Sequence, residues 1–176
     1  MRAVDVIIFV IKERLKIEIM FNPAFEDKNP PLRLLSAFHD VFPDIAPEFI
    51  VQVDGRDMWV AGVATSTQEY IIHTPDLDGK VTFNWRTAKS KRTIMKRPLP
   101  KWARYPAGVV VELGANGLDV DGVTAIVIGD EPDGPRYDYA LALTIAALWH
   151  ELTDTDYSPA SLQDVVEKVR REYIEA

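Results

Sequence analysis

Hydrophobic and polar positions change period several times along the chain, and each change marks an element. Val4 to Ile11 is rich in β-branched residues, and Lys12-Glu13-Arg14 follows as a polar turn. Leu15 to Ile19 then alternates apolar and charged residues with period two, so residues 1–21 read as a hairpin. Pro23, Asn29, Pro30 and Pro31 make Phe21–Pro31 a loop. Leu34, Leu35, Phe38 and Phe42 fall on one face of a short amphipathic helix over Leu32–Phe42, which Pro43 stops. Strands are expected at Phe49–Val53, Met58–Ala64 and Glu69–His73, and at Val81–Phe83 after the Asp78-Gly79 turn.

In the second half the pattern turns helical. A helix over Trp102–Leu113 must hold Pro106 in its first turns and ends at Asn116-Gly117. Val123–Gly129 is a buried strand, Glu131–Arg136 a turn, and Tyr137–Leu152 a very apolar helix. Ser158-Pro159 offers a cap and a first-position proline for a last helix through Tyr173. Strands first and helices later predict an α+β fold, a two-layer mixed sheet with helices on one face, plus the N-terminal hairpin. The expected organisation is an extension over 1–31 and one domain over 32–176.

Composition narrows the chemistry. The chain has 176 residues, no cysteine and a formal charge of −7. Disulfides, thiolate catalysis and cysteine-based metal sites are thereby removed, in keeping with a cytoplasmic location. The run Val6–Ile11 is far shorter than the roughly 20 residues that cross a bilayer, and no membrane partner is expected. His39, His73 and His150 are scattered without zinc-ligand spacing, and no nucleophile elbow exists. Asp130, Glu131, Asp133 and Asp138 fit no cation-loop spacing and read as an acidic surface turn, so no metal is assigned.

Charge is unevenly placed. Arg86, Lys89, Lys91, Arg92, Lys96, Arg97, Lys101 and Arg104 lie in one stretch without a carboxylate. The remaining 12 Lys and Arg stand against 27 Asp and Glu, leaving the rest of the chain at −15. With Trp85, Trp102 and Tyr105 nearby, Lys91, Arg92, Lys96 and Arg97 are candidates to bind RNA or another polyanion. The competing reading is a solvated connector, stiffened by Pro98 and Pro100, whose cations offset the acidic body. Net charge and the lack of a recognition motif favour the connector and disfavour nucleic acid.

Several of these segments together resemble a known family. Lys101–Leu113 with its Trp-Ala-Arg-Tyr-Pro-Ala-Gly-Val core, Gly117–Gly122, and Ala125–Pro132 with its Gly-Asp-Glu-Pro end are similar to the galactokinases of the GHMP sugar-kinase superfamily. Trp59-Val60-Ala61, Ile72–Gly79 with Val81–Phe83, Leu34–Phe42 and Glu172-Tyr173 follow the same order. The resemblance covers roughly Asp54–Ala176. It implies the N-terminal-domain fold of that superfamily, which is like the second domain of a ribosomal protein.

The resemblance also shows what is missing. Nothing matches the family's sugar-reading motif; Gly55-Arg56 is followed by Asp57-Met58-Trp59. The family's glycine- and serine-rich ATP loop corresponds to Pro132–Ala142, where only Pro132, Gly134 and Ala142 agree. Pro135 lacks an N–H, Tyr137 and Tyr139 are bulky, and Asp133 and Asp138 bring charge that opposes a triphosphate by on the order of a few kcal/mol. The chain ends before the family's catalytic aspartate segment. No catalytic residue is carried over, and no cofactor is expected.

The resulting expectation is an inactive, galactokinase-like half-protein acting as a binding or regulatory module, as a homo-oligomer or with a protein partner. Association is expected because half of a two-lobed kinase exposes apolar surface. The first alternative is a divergent sugar kinase holding Mg-ATP through the degenerate loop positions Gly134, Arg136, Tyr137 and Asp138. The second is a polyanion-binding module using Arg86–Arg104.

Overall fold

A computed structural model describes residues 30–176. The hairpin expected within residues 1–21 lies outside them. Helix α1 spans Leu32–Val41. Strands β1 (Phe49–Gln52), β2 (Met58–Thr65), β3 (Tyr70–Thr74) and β4 (Gly79–Phe83) follow, then helices α2 (Trp85–Lys89) and α3 (Lys101–Ala115). Strand β5 (Gly122–Gly129) and helices α4 (Pro135–Leu152) and α5 (Pro159–Val169) complete the order, and a π-helical turn over Arg170–Ile174 ends it.

The five strands form one mixed sheet in the order β1-β2-β5-β3-β4. Every residue of β5 is buried, as its unbroken apolar run requires of a strand covered on both faces. It pairs antiparallel with β2, Met58 opposite Gly129 through Thr65 opposite Gly122. On its other side it pairs parallel with β3, Tyr70 opposite Val123 through His73 opposite Ile126. The α+β class and mixed sheet agree with the sequence pattern.

The main core lies between the sheet and α3, α4 and α5. Met58, Val60, Val123, Ala125 and Val127 meet Leu141, Ile145, Leu148 and Trp149 there. Gly62 makes room for Leu148, whose Cδ2 lies 3.0 Å from where a Cβ would stand. Tyr70 sits edge-on to Trp149 with centroids 5.3 Å apart, and its hydroxyl donates to the Val120 carbonyl at 2.9 Å.

The strand alternation sends Trp59, Ala61, Val63, Ile126 and Ile128 to the opposite face. Leu34 and Phe38 of α1 cover them, so the helices do not all share one face. The apolar stripe read on Leu32–Phe42 is the reason, since it supplies a second, smaller core.

Three boundaries differ from the sequence reading. Helix α3 begins at Lys101, one residue earlier than expected, and runs to Ala115, with Pro106 in its second turn. Helix α4 begins at Pro135, so Arg136 belongs to a helix and not to a turn. Helix α2 was not expected at all. Its signal is a capping box, Asn84 Oδ1 accepting from Thr87 N–H and Thr87 Oγ1 accepting from Asn84 N–H, both at 2.9 Å.

Helix α5 carries the expected Ser158 cap and Pro159 at its first position. Its π-helical continuation brings the Tyr173 hydroxyl to donate to the Ala88 carbonyl of α2. Gly108 permits this approach, because a Cβ there would stand 2.5 Å from Val169 Cγ1 and 2.8 Å from Tyr173 Cδ1. Gly108→Ala should therefore force α3 from the C-terminal helix and lower stability by about 1–3 kcal/mol, seen as a melting temperature several degrees lower.

Candidate functional site

The degenerate loop positions gather where β5 ends and α4 begins. Gly129, the last residue of β5, donates its N–H to Asp76 Oδ2 at 2.7 Å, and Asp130 N–H donates to the Asp57 carbonyl at 2.8 Å. The chain is thus held from the turn after β3 and from the residue before β2 as it leaves the sheet. Gly134 has φ 108° and ψ −151°, a region open essentially to glycine alone, and it caps α4 without a side-chain hydrogen bond. Pro135 fills the first helical position, where a missing N–H is tolerated.

Asp130 and Glu131 of this turn are engaged. Asp130 Oδ1 accepts from Arg33 Nη2 of α1 at 2.9 Å, and Arg33 Nη1 lies 3.7 Å from Asp76 Oδ1. Glu131 is buried; its Oε2 accepts from Arg136 Nε at 2.6 Å and its Oε1 from the Asp57 N–H at 3.3 Å. A buried carboxylate held by a charged donor and a backbone N–H meets the condition for burying such a group. The carboxylates are committed to arginines and backbone. Among the described residues no cluster of His, Asp and Glu could hold a metal ion.

Tyr137 and Asp138 turn inward. The Tyr137 hydroxyl shares a hydrogen bond with Thr74 Oγ1 of β3, and burial pushes its pKa to about 12. Burial also raises the Asp138 carboxyl above its ordinary range, opposed in part by the Lys101 cation. Of the four loop candidates, Gly134 and Arg136 line the turn while Tyr137 and Asp138 belong to the packed side of α4. Gly134, Arg136, Tyr137 and Asp138 are brought together, but Arg136 is engaged by Glu131 and the tyrosine ring points away from solvent.

Sequence inspection missed Arg33 and Asp76. They lie 97 and 54 positions from Asp130, and no local spacing marks such a contact. The Glu131–Arg136 pair is local, yet it follows neither strand nor helix spacing and became visible only with the turn itself.

The basic segment runs from α2 into α3, and residues 90–100 between them form an ordered loop, not an extended connector. Arg92 bridges antiparallel to Pro98, Thr93 N–H donates to the Arg97 carbonyl at 2.8 Å, and Leu99 N–H donates to the Lys91 carbonyl at 2.9 Å. Ile94 N–H donates to the Thr82 carbonyl at 3.1 Å, so the loop lies along the outer strand β4. The neighbouring rings are occupied. Trp85 and Trp102 pack where Gly114 and Gly79 lack side chains, Tyr105 packs against the core, and Lys89 Nζ stands 3.6 Å over the Trp85 ring.

Comparison with known proteins bears on the fold. No protein-family model matches the chain, and no curated protein matches it by sequence. Among solved structures it is similar to the galactokinase of Lactococcus lactis, determined with galactose, at TM-score 0.62 and 17% identity over 82% of this chain. It is also similar to a mevalonate kinase, at TM-score 0.53 and 10% identity over 67% of this chain. The Methanococcus jannaschii mevalonate kinase gives TM-score 0.50 and 10% identity over 65%. The likeness is one of fold, shared with these galactokinase and mevalonate kinase structures. The chain spans 43%, 38% and 36% of these three proteins, less than half of each. Among the described residues no helix is long and apolar enough to cross a membrane.

The Asp138 shift has a testable consequence. Its folded pKa lies above the unfolded one, so ionised Asp138 is unfavourable to the fold above the folded pKa. That penalty is relieved as pH falls through the folded pKa toward the ordinary carboxylate value. Asp138→Asn should raise the melting temperature at pH 7, and the difference from the parent should shrink on acidification, as followed by thermal unfolding across pH.

Proposed function

We propose that this chain is a binding or regulatory module built on the GHMP-kinase fold, with its nucleotide loop given over to internal contacts. One observation carries the reading, the occupation of the β5–α4 turn by Arg136 on buried Glu131 and by Arg33 between Asp130 and Asp76. A triphosphate at this turn would compete with Glu131 for Arg136, and it would meet Pro135 where a backbone donor is wanted. Displacing Arg136 would leave a buried carboxylate without its ionic partner, which is costly.

Such a module acts through association, as a homodimer or by docking on a partner protein such as a full-length kinase. The kinase fold of the neighbours favours a second reading, a divergent sugar kinase with Mg-ATP held near Pro132–Ala142 through Gly134 and Arg136. Isothermal calorimetry with magnesium and ATP, or a non-hydrolysable analogue, with and without galactose, separates the two. The module reading expects no saturable heat in either case. Saturable nucleotide binding overturns it and calls for a phosphotransfer assay across sugars.

A further inference from the structure

We propose that the loop over residues 90–99 is a docking site for an acidic, carboxylate-rich segment of a partner protein. Three observations lead there. None of the eight cations between Arg86 and Arg104 forms an ion pair with a described residue, although carboxylates outnumber cations in the chain. The loop holds its cations in a fixed frame. Besides the bridge and the bond to β4, Lys96 N–H donates to the Thr93 carbonyl at 2.9 Å and Arg92 Nη1 to the Lys96 carbonyl at 2.7 Å. Leu99 is buried and anchors the loop's end.

Within this frame Lys91 and Lys96 take positive φ, 56° and 61°. A side-chain-bearing residue in that region is disfavoured by about 1 kcal/mol or more, and it persists only where surrounding contacts dictate it. Lys91 takes it where α2 ends, Arg92 N–H donating to the Thr87 carbonyl at 2.9 Å, so local hydrogen bonds fix where this lysine stands. The third observation is Met95 at the tip, 74% exposed between these cations. A flexible thioether in a cationic rim suits an acidic segment that carries an apolar residue.

The same features select against other polyanions. Trp85, Trp102 and Tyr105 are packed against the core, so the ring stacking that single-stranded RNA would use is not on offer. The remaining chain stands at −15, which opposes a long nucleic acid or an anionic bilayer running past the loop. A short acidic segment ends within the patch, inside a Debye length of about 8 Å at physiological salt. This inference gives the proposed module a partner chemistry, and it is read out apart from nucleotide binding.

The test is fluorescence anisotropy of the full chain with a labelled peptide of glutamates around a central leucine, beside labelled oligouridylate and phosphatidylserine-containing vesicles. The expected result is saturable peptide binding that weakens with salt. Lys96→Gln with Arg97→Gln should weaken it about tenfold, and Met95→Ser about fivefold, with unchanged melting temperatures. No peptide binding at low salt, equal binding by either folded variant, or tighter binding of the RNA or the vesicles overturns the proposal. Saturable heat with Mg-ATP would remove the preceding reading without touching this one.

Discussion

The rest of the structure depends on the complete burial of β5. A strand of eight residues with both faces covered must find apolar partners above and below and hydrogen-bonding partners on both edges. Its two faces create the two cores, the larger one under α3, α4 and α5 and the smaller one under α1. Its two edges recruit β2 and β3 in opposite orientations. The turn at its end inherits this fixity, because Gly129 and Asp130 are already held from Asp76 and Asp57 before the chain leaves the sheet.

That anchored turn sets the electrostatics of the region. Asp130 and Glu131 follow directly on a buried strand; Asp130 stays exposed and pairs with Arg33, while Glu131 is drawn in and needs its cation. Arg33 arrives from α1 because Leu34 and Phe38 beside it fix that helix on the sheet. Arg136 arrives from the first turn of α4 because Gly134 lets the backbone reverse. The arginines are thus part of how the fold tolerates its own acids. Along the outer strand β4 the balance is inverted, since the cations there form no ion pair with a described residue.

Much of this was legible in the chain. Short strand-forming runs and the Asp78-Gly79 turn pointed to β1 to β4, the unbroken apolar run to β5, and the long apolar segment from Tyr137 to the central helix. The order and spacing of several motifs across Asp54–Ala176, Trp102–Val109 and Gly129–Pro132 among them, suggested the kinase fold. What escaped was of two kinds. Contacts between distant residues, such as Arg33 with Asp130, leave no local mark. The short helix α2 and the loop after it were hidden because eight cations and two prolines read as solvated chain, while the capping box of Asn84 and Thr87 and the buried Leu99 are small signals. The second face of the sheet was also unseen, although the alternation of Trp59, Ala61 and Val63 with Met58, Val60 and Gly62 contains it.

The strand order carries a consequence for how the molecule assembles. Strands β2 and β3 are separated by only a short turn in the chain, yet they are not neighbours, and β5 lies between them. The β1–β2 and β3–β4 pairs are local and can form as they are synthesised, but nothing joins them until residues 122–129 emerge and insert. Insertion makes an antiparallel and a parallel edge together, both of high sequence separation, and long-range pairing of this kind slows folding. Until it happens, two hairpins offer open edges to any other extended chain. The central strand is the last to be made and the one on which closure waits.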